Sequence, residues 1–480
     1  MRSFNFIKSL FIVLSLVFVS SCNNGNTPGN LEPNDKETTI DFYALNDFHG
    51  AVEYQAGKQT GLSRIGKYLL DIKEKKPDST VILSSGDMFQ GSVDSNLNHG
   101  ALVTDMMNAI GFDSMTIGNH EFDWGEEAIR SNQKNMNFPL LACNIFYKGT
   151  ENSPDYLKPY TTFMKGDIKI GVIGAVQAGI GTSILRSISD EFDFASPNKY
   201  IEKYSDILFK NENCDAVVLS THDGNYSSYK ALTENSSVSG RKYIDGLFLG
   251  HDHQLYNDVE NGVPYVEGYS SGKMISLIAL TIKNHKVIDY SSDVISTVEK
   301  CYEPANSLET IYAKYLPEID KIKNTVVGKT TKYLSKTTLG QIASKSIHYY
   351  INKHTEEFDF KVDFAGVNAG GVRSTIAVGN VTYGMIFQVF PFDNNVVCAD
   401  VDAYGLSLYQ SYAGNYSYTS EQPTLGSDNL YHVGTINYVS EIMDAQSINV
   451  SRVYSPTILR DVICEAIAAN NIEEISPYSI

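Results

Sequence analysis

Six short apolar runs, at residues 40–45, 81–83, 115–117, 169–173, 216–219 and 247–249, constrain the fold of this chain more than any other feature. They read as short strands. Helical patterns separate them. Leu62, Ile65, Leu69 and Ile72 recur at spacings of three and four, and a second helical stretch spans residues 197–210. Strands alternating with helices predict an α/β layered domain with helices on the faces of its sheets.

Five of the six runs end in a motif rich in metal-ligand side chains. In order these are Asn46-Asp47-Phe48-His49-Gly50, Ser85-Gly86-Asp87-Met88-Phe89-Gln90-Gly91, Gly118-Asn119-His120-Glu121-Phe122-Asp123, Ser220-Thr221-His222-Asp223-Gly224 and Gly250-His251-Asp252-His253-Gln254. Strand C-termini are where open α/β sheets build their sites. Each motif pairs a ligand-type side chain with glycine, which permits tight turns and close backbone approach. Imidazole with carboxylate suits borderline divalent metals such as zinc, manganese or iron. In a D-x-H or H-x-H held as a local extended strand, residues i and i+2 share a face and can reach one ion. Any one motif arises by chance; all five in order, each after an apolar run, do not.

The chain has 480 residues, 42% of them hydrophobic and 20% charged, with a formal net charge of −18. That length predicts two or three domains with sizeable cores. The acidic balance argues against coating nucleic acid, which needs a basic stripe to replace counterions. It leaves small phosphates open, because bound metal ions invert the local charge.

At the N-terminus, Arg2 and Lys8 precede an apolar run at residues 10–19 and then Val19-Ser20-Ser21-Cys22. The run is far short of the ~20 residues a spanning helix needs and reads as a signal-peptide core. Its ending resembles a bacterial lipobox, which implies lipidation of Cys22 and an exported, membrane-anchored protein on a periplasmic or cell-surface face. Residues 23–37, rich in Asn, Gly and Pro, read as a flexible tether. The other five cysteines are widely spaced without a C-x-x-C, so they form no disulfide scaffold; a single bridge stays open, and the thiols otherwise read as buried.

A catalytic domain at residues 38–300 is followed by a connector at 301–325 and a second domain at 326–480. In the connector Leu308, Ile311, Tyr315, Ile319 and Ile322 repeat at helical spacing, with Ser307 as N-cap and Pro317 placed to bend or break the helix.

The five motifs together resemble the calcineurin-like metallophosphoesterases, and their extended forms resemble the bacterial 5′-nucleotidase and UDP-sugar hydrolase family. The resemblance continues in Asn368-Ala369-Gly370-Gly371-Val372-Arg373, Val381-Thr382-Tyr383-Gly384 and Phe390-Pro391-Phe392-Asp393. It implies a four-layer αββα sandwich followed by a smaller α+β substrate-binding domain. It further implies two divalent ions, zinc, manganese or similar. Asp47, His49, Asp87 and His253 would hold the first; Asp87, Asn119, His222 and His251 the second, with Asp87 bridging. Two such ions clamp the attacking and leaving oxygens of an in-line displacement and activate water. The family's catalytic dyad falls on His120, which stabilises charge or donates a proton, and Asp123, which orients the ring. Asn368 and Arg373 would bind the nucleotide, and Phe392 and Tyr438 would sandwich its base, with Asp444 beside them.

This sequence departs from the family in three places. His253 stands where several nucleotidases carry Gln. The turn expected around residues 441–445 has lost its glycines. Lys336, not an Arg, precedes Leu339-Gly340-Gln341. The expected activity is metal-dependent hydrolysis of extracytoplasmic nucleotides, with closure of the two domains about the connector. UDP-sugars and 2′,3′-cyclic nucleotides are the alternative substrates on the same site, and a non-catalytic surface binding protein is the alternative class. No nucleic-acid duplex and no protein partner are implied.

Overall fold

Alternation along single strands explains the first domain. In Thr38–Leu45, Ile40, Phe42 and Ala44 enter one core while Tyr43 and Leu45 enter another. In Ala216–His222, Val218 faces the first of these cores and Val217 and Leu219 face a third. Strands buried on both faces belong to inner layers. A computed structural model describes residues 35–358, 360–419, 423–426 and 428–469, all within one unit, Pro33–Ile480. The leader, Cys22 and most of the tether lie outside the described residues. Among those described, no helix is long and apolar enough to cross a membrane.

Two six-stranded sheets stack on the shared core. The first runs, in space, Lys286–Ser296, Met274–Lys283, Thr38–Leu45, Thr80–Ser84, Ser114–Thr116, Leu140–Leu141. The second runs Leu255–Glu260, Val263–Gly268, Gly246–Phe248, Ala216–His222, Ile168–Val176, Tyr160–Lys165. The motif-bearing strands are parallel to one another within each sheet. Helices Leu62–Lys75 and Ala101–Ile110 cover the outer face of the first sheet, and Asn198–Lys210 covers that of the second. The result is the four-layer αββα sandwich. Each fully buried aliphatic or aromatic side chain of the inter-sheet core contributes roughly 1.5–3 kcal/mol.

Helix Asn306–Lys323 differs from expectation. It runs unbroken through Pro317, and it begins after Ala305, so Ser307 sits inside its first turn and caps nothing. Tertiary packing outweighs the backbone bond that Pro317 forfeits. Leu308, Tyr312 and Ile319 are buried in the first domain's core, on both sides of the proline. The Tyr312 hydroxyl donates to Asp94, and Lys323 pairs with Glu53 at 2.8 Å and Asp94 at 3.2 Å. The helix is therefore built into the catalytic domain, and the crossing to the second follows it.

The second domain has its own core around a five-stranded mixed sheet, ordered Ser417–Thr419, Phe364–Gly366, Tyr431–Ile436, Asn395–Val401, Ser451–Ile458. Helix Lys336–Lys353 packs on it. Ser335 caps this helix by accepting from Thr338 N–H. The five cysteines within the described residues are all free; four are buried and Cys464 is half-buried.

Candidate active site

Three motifs follow strands of the first sheet and two follow strands of the second, and the stacking of the sheets brings all five together. The backbone there is unusual. Asp47, His49, Asp87, His251 and His253 have φ of 47, 52, 54, 83 and 56°. Left-handed backbone costs a non-glycine residue about 1–3 kcal/mol, and such residues cluster at functional sites. This corrects the extended-strand reading of D-x-H and H-x-H. Asp47 and His49 converge through left-handed turns, and His251 and His253 diverge into different groups. Asp47, His49 and His253 form one group and Asp87, His222 and His251 another; within each, the potential ligand atoms lie within 4.8 Å of one another.

The donor atoms fit divalent ions. Asp47 Oδ2 accepts from Asn46 Nδ2 at 2.8 Å and from His251 N–H at 2.9 Å, while its Oδ1 is buried with no hydrogen-bond partner and lies 3.3 Å from His253 Nε2. His49 Nδ1 bonds Gln90 O at 2.9 Å and His222 Nδ1 bonds Ser85 O at 2.8 Å. A backbone carbonyl accepts only from N–H, so Nδ1 of each ring carries a proton and Nε2 is the atom turned into the two groups. Asn119 Oδ1 lies 3.1 Å from His222 Nε2 and 3.0 Å from His251 Nδ1, which places it at the second group.

The two carbonyl-bonded rings differ in charge. Burial lowers His49 to about 3, leaving it neutral. Burial also disfavours charge on His222, but Asp87 and Asp47 outweigh it and hold that ring at about 10. Burial alone would raise both carboxyls. Instead His253 pulls Asp47 below its usual value, and His222 pulls Asp87 well below.

His120 sits on the short turn His120–Phe122. Its Nδ1 lies 2.9 Å from Asp123 Oδ2 and its Nε2 lies 4.0 Å from Asp87 Oδ2. Burial disfavours its cation, yet Asp123 and Asp87 hold it at about 9.

Second-domain residues meet these groups in a cavity of about 360 Å³. Asp87, Asn119, His120, Asp123, His251 and His253 line one side; Asn368, Arg373, Phe392 and Tyr438 line the other. The rings of His120 and Phe392 stack with centroids 5.5 Å apart. Asp444 is not brought there. The segment expected as a turn is helix Asn437–Ala445, and six residues of helix turn Asp444 about 240° from Tyr438. Asp444 instead accepts from Asn449 and pairs with Arg452.

Sequence reasoning missed several groups. Glu121 is buried and accepts from Asp87 N–H, Met88 N–H and Gly118 N–H at 2.9, 2.9 and 2.7 Å, tying the second motif to the third. Its place inside the third motif was a usable signal. Glu267 accepts from Gln254 N–H at 3.0 Å and steadies the H-x-H loop; nothing in its sequence surroundings points to it. Ser183, Leu185 and Asn394 also line the aromatic cavity. A second cavity of about 520 Å³ opens on the far side of His49 and His253. Lys273, Lys336, Arg373, Gln55, Gln59 and Gln388 line it with the acids Glu53 and Asp94, and no Phe, Tyr or Trp does.

Residues 40–255 match the calcineurin-like phosphoesterase family, and residues 318–410 match the 5′-nucleotidase C-terminal domain. The chain is 27% identical over 387 residues to Endonuclease YhcR of Bacillus subtilis, a match covering 73% of this chain and 31% of that protein. It is 26% identical over 434 residues to Protein UshA of Yersinia enterocolitica, covering 79% of this chain and 78% of that one. The crystal structure of a 5′-nucleotidase precursor from Thermus thermophilus shares the fold, with TM-score 0.74 at 16% identity over 92% of this chain and 98% of that one. The chain belongs to the 5′-nucleotidase family that joins a calcineurin-like phosphoesterase domain to a 5′-nucleotidase C-terminal domain, and it is a metal-dependent phosphoester hydrolase.

Proposed function

We propose that this enzyme is a 5′-nucleotidase that releases phosphate from nucleotides outside the cytoplasm. One observation carries the reading: a single cavity joins the two metal-ligand groups and the His120–Asp123 pair to Asn368, Arg373, Phe392 and Tyr438. Asp47, His49 and His253 would hold one divalent ion and Asp87, Asn119, His222 and His251 the other; the family resemblance would have Asp87 serve both. Ions held there would supply Lewis acidity toward the phosphoryl oxygens and an activated water. Arg373 carries a planar cation suited to the phosphate. Phe392 and Tyr438 offer ring faces to the base. Hydrolysis forms a P–O bond from water and breaks the P–O bond to the nucleoside, whose departing oxygen needs a proton. His120 holds a proton on the cavity side at Nε2 while Nδ1–H points to Asp123. The N-terminal lipobox supports export and attachment through Cys22.

The test is phosphate release from AMP with added manganese or zinc, with EDTA and Asp87→Asn as controls. Failure to release phosphate from AMP or UMP while simple aryl phosphates are cleaved would sink the nucleotide assignment.

The polar cavity favours a second reading, hydrolysis of pyrophosphate-linked substrates such as UDP-sugars. Its cations and amides suit a phosphorylated, hydroxyl-rich group lying beyond the reacting phosphorus. Lys273→Ala with Lys336→Ala should then reduce kcat/KM for UDP-glucose at least about tenfold more than for AMP. Equal losses on the two substrates would count against this reading.

A further inference from the structure

Helix Asn437–Ala445 occupies the segment where the turn expected around residues 441–445 has lost its glycines, and it carries Glu441. Glu441 is 8% exposed, and its carboxylate crosses to the catalytic domain. There Oε2 accepts from Arg186 N–H at 2.6 Å and Ser187 N–H at 3.4 Å. These amides open the short helix Arg186–Ser189, whose N-cap, Leu185, supplies no side-chain bond. The first amides of a helix have no partner within it, so a side chain from the other domain takes that place. A carboxylate on backbone N–H makes a charge-assisted bond, among the stronger kinds a side chain can form.

The residues on either side of this bond form the nucleoside end of the aromatic cavity. Tyr438 lies three residues before Glu441, one helical turn away, so both project toward the same side. Ser183 and Leu185 immediately precede the bonded amides, and with Tyr438 they line the cavity. On the catalytic side this segment is anchored by Ile180 and Ile184, buried in the first core. The other crossing beside the cavity is independent of Glu441: Gln90 and Asn96 side chains donate to Pro391 O at 3.0 and 2.9 Å, next to Phe392. One crossing thus fixes the Phe392 wall and the other the Tyr438 wall.

We propose that Glu441 is a positioning residue for nucleoside recognition. It clamps the Ser183–Leu185 wall of the catalytic domain against the Tyr438 helix and so sets the width of the base-binding end. The inference rests on the nucleotidase reading and deepens it. Glu441 touches neither the metal-ligand groups nor His120, so its effect falls on binding of the nucleoside and not on the phosphoryl chemistry.

The experiment is steady-state kinetics of wild type, Glu441→Ala and Glu441→Gln on AMP, on UMP and on bis(p-nitrophenyl) phosphate, which has no nucleoside, each with saturating manganese. Glu441→Ala should raise KM for both nucleotides at least about tenfold while its kcat/KM on the aryl ester stays within about twofold of wild type. Glu441→Gln, which keeps an acceptor oxygen, should recover most of the nucleotide KM. Nucleotide KM values within twofold of wild type in Glu441→Ala would overturn the proposal. So would parallel losses on nucleotides and aryl ester, which mark a residue that only holds the fold. Wild type active on the aryl ester but on no nucleotide would defeat the nucleotidase reading itself, a result separable from the other two and one that ends this proposal with it.

Discussion

The Nε2 atoms of His49 and His253 face each other at 3.0 Å. His49 commits its Nδ1 to the Gln90 carbonyl and is held neutral by burial, so its facing atom carries a lone pair. Beside the pair lies Asp47 Oδ1, buried and without a hydrogen bond. Two acceptor atoms, His49 Nε2 and Asp47 Oδ1, thus converge beside the His253 ring nitrogen, an arrangement that a cation held between the three would satisfy.

Metal removal should therefore cost stability as well as activity. A ligand that binds only the folded state at 100 times its Kd stabilises by about 2.7 kcal/mol. EDTA should abolish phosphate release and lower Tm by several degrees, with manganese or zinc restoring both. Asp87→Asn should blunt that Tm response. Calorimetry with and without chelator checks it, and an unchanged Tm in wild type would contradict the metal assignment.

Asp123→Asn should shift the pH profile. Asp123 and Asp87 hold the His120 proton up to about 9 despite burial. The folded-state value is raised above the unfolded ~6.5, so the pair's stabilisation is complete below about 6.5 and lost as pH rises through about 9. Removing the Asp123 charge lowers the His120 value. The alkaline limb of kcat should move to lower pH, and kcat should fall by ~10²–10⁴ where His120 is neutral. A pH–rate profile identical to wild type would exclude His120 as the proton donor.

Gly118→Ala should disable the metal groups without replacing a ligand. A Cβ there would lie 2.2 Å from Asp87 Oδ1 and 2.6 Å from Asp87 N. Asp87 N is backbone and Oδ1 is held by His120 N–H at 2.9 Å, so the second and third motif loops must separate. A loss of about 1–3 kcal/mol in stability is expected, with metal content well below two per chain. Denaturant unfolding and metal analysis measure the two effects.

Phe392→Ala and Tyr438→Ala should each raise KM for AMP by roughly 5–150-fold, the equivalent of ~1–3 kcal/mol for a ring stacked on a base. Asp444→Ala should leave kcat/KM for AMP within about twofold, because its carboxylate serves Arg452 and Asn449 outside the cavity. A large effect at Asp444 would mean that helix Asn437–Ala445 rearranges when substrate binds.

Much of the first domain was legible because its signals are local. Strand length, buried alternation and the glycine-flanked motifs occupy a few consecutive residues each, and all six runs appear as strands. Asp47, His49, Asp87, His222 and His253 could be listed for the same reason. Pro317 and Ser307 were misread because local propensity is small against burial of Leu308, Tyr312 and Ile319. Asp444 was misplaced because spacing alone does not distinguish a turn from a helix, and the two point a side chain in different directions.

The amino-acid sequence by itself determined the layered architecture, the inventory of metal-ligating side chains and the chemistry they can perform, since each depends on residue type and near-neighbour spacing. The family resemblance already sorted the ligands into two groups; only the tertiary structure decided the backbone geometry that seats them. It turned His251 and His253 apart, set Glu121 and Glu267 behind the motif loops, and brought Glu441 across to Arg186 over 255 residues of chain. Those relationships depend on how two sheets stack and two domains meet. That geometry arises from the sum of many weak contacts, and no short stretch of sequence encodes it.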